Sequence, residues 1–162
     1  MLVKNSSLTR TGKGEVVDKD SSFTWYVGTI DEANSFIGLA KVFSRNREIR
    51  ETLLEIQKRL FKVGAELSHQ KLTEGDLEWL LKKIGEFENS VKKPNRFIIL
   101  EKDETTAFLS VARAVVRRAE REAVRLYKEG KVRLLTVEWL NKLSYLLYLM
   151  ILKEGGEEFE EV

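Results

Sequence analysis

The chain has 162 residues, of which 43% are hydrophobic and 33% charged, a composition typical of one soluble globular domain. It contains no cysteine, which excludes disulfide frameworks, thiol nucleophiles, cysteine-based zinc sites and iron–sulfur clusters. Its 28 basic and 26 acidic side chains give no global field that would attract nucleic acid or an anionic membrane, so any anion-binding site has to be local.

The first 20 residues are polar and lack the apolar stretch of a secretory signal, which favours a cytoplasmic protein. From Ser7 to Glu15 this segment combines hydroxyl side chains, Arg10, Lys13 and two glycines, a composition typical of loops whose backbone N–H groups approach phosphate. The spacing differs from that of a Walker A loop. Taken alone, residues 1–20 favour a flexible tail, and the folded domain is predicted to span residues 21–162.

The rest of the chain has helical periodicity and predicts five helices. They are expected at about 22–43, 46–69, 73–91, 105–128 and 134–152. In the second, apolar residues recur at helical spacing from Ile49 through Val63 to Leu67, which predicts a stripe that packs against neighbouring helices. Ser21 or Ser22 is the candidate N-cap of the first helix. Gly28 and Gly38 inside that helix indicate the close approach of another helix or of a ligand. No strand pair is predicted, so the chain is expected to be all-α, an up-and-down five-helix bundle with one longer crossover over residues 92–104.

The fifth predicted helix is the most apolar segment, with 19 residues from Leu134 to Leu152. Glu138, Asn141 and Lys142 lie in its middle. A charged residue at the centre of a membrane span costs about 2.5–3.5 kcal/mol. The segment therefore favours a central helix of a soluble bundle over a membrane span.

The fourth predicted helix carries the densest polar pattern. Arg113, Arg117 and Glu120 follow one another at i, i+4 and i+7, so they share a face that borders the apolar stripe. Two guanidinium groups one turn apart suit a polyphosphate, and Glu120 could hold Arg117 in place. The alternative is a solvated face of i,i+4 ion pairs. We assign Arg118, Arg121 and Arg125 to such a face.

The first predicted helix has a polar face of its own. Asp31, Asn34, Ser35 and Gly38 recur at i, i+3, i+4 and i+7. An Asp and an Asn beside a glycine could pair with an arginine of another helix or subunit and leave room for a ligand. As an isolated pattern this is a weak signal.

Glu66 and His69 form an ExxH pattern, which is typical of di-iron carboxylate sites in helical bundles. Such sites need a second ExxH, and His69 is the only histidine of the chain. The pattern therefore favours a histidine at a helix end without a catalytic role. Ser-His-Asp catalysis is excluded on similar grounds, because no G-x-S-x-G motif accompanies His69.

Four segments, taken in order, resemble one family, the PduO-type cobalamin adenosyltransferases. They correspond to the family's TRTGDGG, GxVDELNS, AR...RRAER and LNRLS motifs, and in this sequence they are Thr9–Gly14, Gly28–Ser35, Ala112–Arg121 and Leu140–Ser144. The matches extend from residue 9 to residue 144 with their spacing preserved. The resemblance implies a ferritin-like five-helix bundle that forms a homotrimer, with active sites between subunits.

The resemblance also implies a reaction, the transfer of the 5′-deoxyadenosyl group of ATP to the cobalt of reduced cobalamin with release of triphosphate. The nucleophile is then the substrate's own Co(I), so the protein needs no serine, cysteine or histidine nucleophile. A cobalamin reductase or an adenosylcobalamin-dependent enzyme is implied as a further partner. The alternative is a trimeric bundle that binds ATP or adenosylcobalamin for sensing or delivery without catalysing transfer.

By the same resemblance, a set of residues would bind ATP. The contacts to the phosphates would come from Thr9, Arg10, Thr11, Gly12, Lys13, Gly14, Lys19 and Arg117. Glu120 would support Mg²⁺ or orient Arg117, and Asn141 would reach the nucleoside. On the cobalamin side, Arg113 would pair with Asp31 of the neighbouring subunit. Phe97 would push on the lower face of the corrin and help to remove its axial ligand.

The sequence departs from the family pattern in three of these regions. Leu100, Glu101 and Lys102 stand where the family has Pro-Gly-Gly, which predicts a crossover loop of different shape. Lys13 and Glu15 replace Asp and Gly in the N-terminal loop, which predicts altered phosphate contacts or an altered metal preference. The LNRLSD pattern is also changed, and the two replacements are Lys142 for Arg and Tyr145 for Asp. Lys142 cannot reproduce the bidentate pairing of an arginine.

Overall fold

The computed structural model describes residues 5–66 and 70–162. In this part of the chain, five helices and one short hairpin alternate with loops. The elements are β1 (Leu8–Arg10), β2 (Val16–Asp18), α1 (Ser22–Phe43), α2 (Arg47–Gly64), α3 (Glu74–Glu88), α4 (Glu104–Lys128) and α5 (Leu134–Gly155). The mostly helical architecture and the number of helices predicted from the sequence are confirmed for the described residues.

Helices α4 and α5 lie side by side, and the other helices pack outward from this pair. Helix α4 lies against both α1 and α5, α2 packs on α1, and α3 packs on α5. The apolar run of α5 supplies the largest share of the core, including the fully buried Trp139, Leu143 and Leu147. None of the helices in the described residues combines the length and apolarity required to cross a membrane.

Side-chain caps explain where the helices begin. Ser21 accepts a hydrogen bond from the backbone N–H of Thr24 at the start of α1. Thr73 and Asp76 form a reciprocal capping box at the start of α3. Burial alone would raise the pKa of Asp76, but hydrogen bonds from Thr73 and the ammonium group of Lys62, 3.0 Å away, hold that pKa below its usual value. The start of α3 therefore depends on an ionised carboxylate.

The N-terminal hairpin corrects the prediction that the chain has no strand pair. Strands β1 and β2 are antiparallel, with Thr9 opposite Val17. Gly14 turns the chain with a φ of 83°, a conformation that glycine adopts without strain. Each strand has only three residues, too few for an alternating pattern to stand out from the sequence. The hairpin lies inside the predicted N-terminal segment, whose flexibility stays a prediction.

Helix α2 ends at Gly64, earlier than the predicted end near residue 69. Its apolar stripe is buried as predicted from Ile49 to Val63. Leu67, which was predicted to continue that stripe, and His69, the histidine of the ExxH pattern, lie outside the described residues.

Gly38 marks a close approach between α1 and α2. A Cβ at this position would lie 3.1 Å from Nε2 of Gln57. That same Nε2 donates to the backbone carbonyl of Asn34, 3.2 Å away. The prediction of a close helix approach is thus confirmed at Gly38. At Gly28 an added Cβ would meet no atom within 4 Å, so that glycine leaves open space on α1.

Candidate active site

The α4 face predicted to be functional is turned toward α5. Glu120 on α4 accepts a hydrogen bond from the side-chain amide of Asn141 on α5, with 2.9 Å between Oε1 and Nδ2. Two of the predicted ATP-binding residues, from different helices, are therefore in direct contact. Arg117 lies about one turn before Glu120 on the same face.

The arginines of α4 differ in their surroundings. Arg118 is paired with Glu32 of α1. Arg117 is exposed, and none of the ion pairs formed among residues 5–66 and 70–162 includes it. Its guanidinium group is therefore available to an anion. Because an arginine fork matches the oxygens of phosphate, this position suits a phosphate ligand.

Arg113 and Phe97 line one cavity. The cavity has a volume of about 480 Å³, and Tyr148 of α5 completes its wall beside the loop that carries Phe97. The Nε atom of Arg113 is buried and has no hydrogen-bond partner among the described residues. The side chain of Phe97 is 88% exposed. An apolar ring and an arginine side chain thus line a common space, which is large enough for part of a planar ligand.

A polar cluster next to this cavity ties the crossover loop to α5. Tyr145 donates to the carboxylate of Glu88, and Lys93 lies 3.2 Å from both the Tyr145 hydroxyl and Glu88. The hydrogen bonds from Tyr145 and Lys93 lower the pKa of Glu88. Tyr145, which stands where the family has Asp, therefore anchors the loop through its phenol group.

Tyr148 is the aromatic neighbour of this cluster. Its ring stacks on that of Tyr145, with centroids 6.5 Å apart. Burial and the neighbouring Tyr145 raise the pKa of Tyr148, against the lowering effect of Arg113. Tyr148 is therefore a neutral hydrogen-bonding phenol at neutral pH.

The N-terminal loop is shaped by its own residues. Arg10 folds back and donates to the carbonyl oxygen of Gly14 at 3.1 Å. Thr11 accepts from the backbone N–H of Glu15 at 3.2 Å, and the N–H of Thr11 donates to the carbonyl oxygen of Glu15. Lys13 is exposed at the tip. A preformed turn that exposes a lysine is compatible with the predicted binding of phosphate.

The other predicted residues of the N-terminal half line two further cavities. Gly12 shares a cavity of about 260 Å³ with Asp31 and Asn34. The Oδ1 atom of Asn34 is buried and has no hydrogen-bond partner among the described residues. Lys19 lines a separate cavity of about 520 Å³, where Gly28 provides the open space on α1. Asp31 itself is exposed.

Within one chain, the predicted site residues therefore fall into two groups. The first group lies on the hairpin and α1 and comprises Thr9, Arg10, Thr11, Gly12, Lys13, Gly14, Lys19 and Asp31. The second group lies on α4, α5 and the crossover loop and comprises Phe97, Arg113, Arg117, Glu120 and Asn141. Asp31 and Arg113 line different cavities, so the structure of one chain does not bring the predicted pair together.

Glu66 of the ExxH pattern has a structural role. Its side chain is 3% exposed, and its carboxylate accepts from Nε of Arg133 at 2.7 Å and from the hydroxyl group of Thr136 at 2.9 Å. These bonds join the region after α2 to the start of α5. Hydrogen bonding to Glu66 raises the pKa of Arg133. Both carboxylate oxygens are thus used in holding the fold.

Glu120 is the residue that fits the predicted Mg²⁺. Across residues 5–66 and 70–162, no group of three or more His, Cys, Asp or Glu side chains is placed to hold a metal ion. Mg²⁺ in nucleotide sites takes one or two carboxylates, and phosphates and water fill the remaining positions. Glu120 uses Oε1 for Asn141 and can offer Oε2. Its donor set is compatible with a metal brought in by a nucleotide.

Sequence reasoning missed Tyr148 and Lys93 as residues around the site, and it named Tyr145 only as a departure from the family pattern. The two tyrosines follow Asn141 at i+4 and i+7, so helical spacing already puts them on the face of Asn141. The apolar run in which they stand masks this signal. Lys93 carries no comparable signal, because its partners lie on α3 and α5.

The comparisons with known proteins agree on one family. The model of the family described as cobalamin adenosyltransferase matches residues 4–154. A corrinoid adenosyltransferase of Bacillus subtilis (strain 168) is 34% identical over 153 residues, covering 84% of this chain and 79% of the relative. One from Citrobacter freundii is 31% identical over 159 residues, covering 88% and 90%. The solved structure of a variant PduO-type ATP:corrinoid adenosyltransferase from Lactobacillus reuteri, complexed with ATP, superposes with a TM-score of 0.88 at 25% identity and covers 100% and 99% of the two chains.

Proposed function

Because the chain belongs to the cobalamin adenosyltransferase family, we propose that the α4–α5 face and the crossover loop form the site at which it adenosylates cobalamin. The protein is an ATP-dependent corrinoid adenosyltransferase. It transfers the 5′-deoxyadenosyl group of ATP to the cobalt of cob(I)alamin and releases triphosphate. The observation that carries the assignment of the site is the cavity shared by Phe97 and Arg113, about two helical turns along α4 and α5 from the contact between Glu120 and Asn141.

The chemistry explains the composition of this site. The electron pair of Co(I) forms the bond to C5′ of ATP, the bond between C5′ and the phosphate oxygen breaks, and triphosphate leaves with the electron pair of that broken bond. No proton has to be removed from either reactant. The protein therefore contributes by aligning cobalt with C5′ and by stabilising the charge that develops on the leaving group.

On the nucleotide side, Arg117 binds the triphosphate in this proposal. Its exposed guanidinium lies one turn from Glu120, whose bond to Asn141 fixes the position of both side chains. Asn141 retains its amide oxygen for the nucleoside. Glu120 is the protein ligand for Mg²⁺, which neutralises phosphate charge when bound. The hairpin residues Thr9 to Gly14 and Lys19 supply the remaining phosphate contacts.

On the cobalamin side, Phe97 faces the lower surface of the corrin. An exposed phenyl ring is costly in water and gains contact area when a planar ligand covers it. Where it presses against the corrin it would exclude the axial ligand of the oxidised cobalt, which makes the Co(I) state accessible. Arg113 and Tyr148 line the same cavity and provide donors at its wall.

We further propose that the active protein is a homotrimer with its sites between subunits. Asp31 is exposed, and neither Asp31 nor Arg113 forms an ion pair within the described residues, so their opposite charges complement each other between copies. Trp25, Val42 and Phe61 are large apolar side chains that α1 and α2 leave exposed in one chain. A neighbouring copy that covers them with its α4–α5 face would complete its own site with the hairpin group of the first chain.

ATP and a strongly reduced cobalt are both available inside cells, so we place the enzyme in the cytoplasm. There it would receive reduced cobalamin from a reductase and pass adenosylcobalamin to an enzyme that uses it.

The activity is tested by mixing the purified protein with ATP, Mg²⁺ and chemically reduced cobalamin and following the visible spectrum. We expect adenosylcobalamin and one triphosphate for each turnover. ATP binding without any product would refute the transfer reaction and favour a binding or delivery protein.

The location of the site between subunits is tested by complementation. Arg117→Ala disables the α4–α5 group, and Asp31→Arg disables the hairpin group. When the two inactive variants are co-expressed, random assembly of closed rings leaves about one quarter of the interfaces with both groups intact. We expect activity to return to about that fraction. No recovery from mixed rings would show that both groups belong to a site within one chain.

A further inference from the structure

The loop that carries Phe97 is held by the segment that follows α5. After α5, Gly156 reverses the direction of the chain with a φ of 75°, and residues 157–162, which we name the strap, run back along the loop. The N–H of Ile99 donates to the carbonyl oxygen of Glu160 at 2.8 Å, and the N–H of Val162 donates to that of Phe97 at 2.9 Å. Ile98 and Glu161 form an antiparallel bridge.

Side chains reinforce this pairing. Lys102 donates to the carbonyl oxygen of Gly155 at 2.6 Å and to that of Glu158, and its ammonium group lies 4.7 Å from the ring centre of Phe159. Phe159 packs so closely over Gly155 that a Cβ there would lie 2.3 Å from the ring. The strap is thus fastened at its start through Lys102 and Phe159 and at its end through the backbone bridge.

Lys102 is one of the residues that departs from the family pattern. The resemblance places a glycine at this position, and a glycine has no side chain with which to reach the strap. The replacement of Pro-Gly-Gly by Leu-Glu-Lys therefore comes with a contact that glycine cannot make. The stiffness that proline would give the loop is replaced here by pairing with a second segment.

We propose that the strap is the positioning element for Phe97 in the adenosyl transfer. The Phe97 ring is largely exposed, so its direction depends on the backbone that bears it. That backbone is fixed by strap hydrogen bonds at Phe97 itself and at Ile99, two residues further on. The strap thereby keeps the Phe97 ring in the position in which it contacts the corrin. This role rests on the proposed function, because it requires cobalamin in the cavity.

Three changes loosen the strap. One ends the chain at Gly156, and the others are Phe159→Ala and Lys102→Ala. Lys102→Arg keeps a cation with several donors and serves as the conservative variant. Lys82→Ala, an exposed lysine on α3 away from loop and strap, is the matched control.

We expect the loosened variants to lose kcat by about 10-fold to 100-fold, because a shift of about 1 Å in a positioning group can cost about 100-fold. The KM for ATP should stay within about twofold, since none of the residues proposed to bind ATP belongs to the strap. Bound cob(II)alamin should retain its axial ligand in the visible and EPR spectra. Hydrogen exchange of the peptide 97–102 should accelerate. Lys102→Arg and Lys82→Ala should behave as the unaltered protein.

Each result decides between the ideas. An unaltered chain that makes no adenosylcobalamin refutes the proposed function, and the role of the strap toward cobalamin falls with it. If the unaltered chain is active and the loosened variants keep the same kcat and still remove the axial ligand, the positioning role of the strap is refuted while the proposed function stands. Unchanged exchange in peptide 97–102 after removal of the strap refutes its hold on the loop. Should the shortened chain fail to fold, the two substitutions carry the same test.

Discussion

The substitution Arg117→Ala tests whether Arg117 binds the triphosphate, a role that we call the phosphate clamp, or belongs to the solvated face of α4. Arg117 is exposed and has no ion pair within the described residues, so its removal should leave the fold intact. An exposed substitution of this kind changes the free energy of unfolding by about 0.5 kcal/mol or less. Arg125→Ala removes an equally exposed cation two turns further along α4 and is the matched control.

The expected loss follows from the interactions that Arg117 would make in the transition state. Removing one donor that stabilises developing negative charge costs about 2.7–4 kcal/mol, which corresponds to about 100-fold to 1000-fold in kcat. Arg117→Lys keeps the charge but loses the bidentate fork, so it should recover only part of the activity. Arg125→Ala should stay close to the unaltered protein.

The assay measures initial rates of adenosylcobalamin formation at saturating ATP and cob(I)alamin, with thermal unfolding of each variant as the control for folding. A drop in kcat for Arg117→Ala at an unchanged unfolding temperature supports the clamp. If Arg117→Ala and Arg125→Ala have equal activity, the triphosphate is bound elsewhere and the assignment is wrong.

Three further predictions concern stability and nucleotide binding. Arg133→Ala leaves the buried Glu66 without its cation and should lower the free energy of unfolding in urea by about 2–3 kcal/mol. This is less than the roughly 3–5 kcal/mol lost when a fully buried ion pair is broken, because the arginine side chain is 43% exposed. Since the pKa of Asp76 is lowered in the fold, its stabilising contribution is complete above the unfolded pKa near 3.9 and is lost as pH falls through the folded value. Asp76→Asn should flatten the acid side of the stability profile, and an unaltered profile would contradict this. Asn141→Ala should weaken ATP binding about tenfold in calorimetry at unchanged stability, and unchanged affinity would remove Asn141 from the nucleoside site.

Local sequence signals are sufficient to predict where the helices lie. Ser21, one of the two serines predicted as the N-cap, caps α1, and the apolar stripe of α2 is buried from Ile49 to Val63. Such signals act within a few residues, so they can be read from the chain. The hairpin was missed because two three-residue strands depend on the turn at Gly14 rather than on a period.

The site was predicted where one helix presents its residues and missed where distant surfaces meet. The spacing of Arg113, Arg117 and Glu120 is by itself enough to put them on one face of a helix. The contact of Tyr145 with Glu88 joins residues 57 positions apart, and that of Lys102 with Gly155 joins residues 53 apart. No periodicity encodes pairs of this kind, because each partner alone is an ordinary surface residue.

This division follows from the reaction itself. An enzyme that supplied its own nucleophile would show it in the sequence as a reactive residue with a base beside it. Here the cobalt of the substrate attacks, and the protein contributes alignment and charge. Alignment is produced by contacts that fix a loop, such as the strap on the segment of Phe97, and these contacts arise only when the chain has folded. The binding residues of such an enzyme can therefore be read from its helices, whereas the residues that position its loops have to be found in its structure.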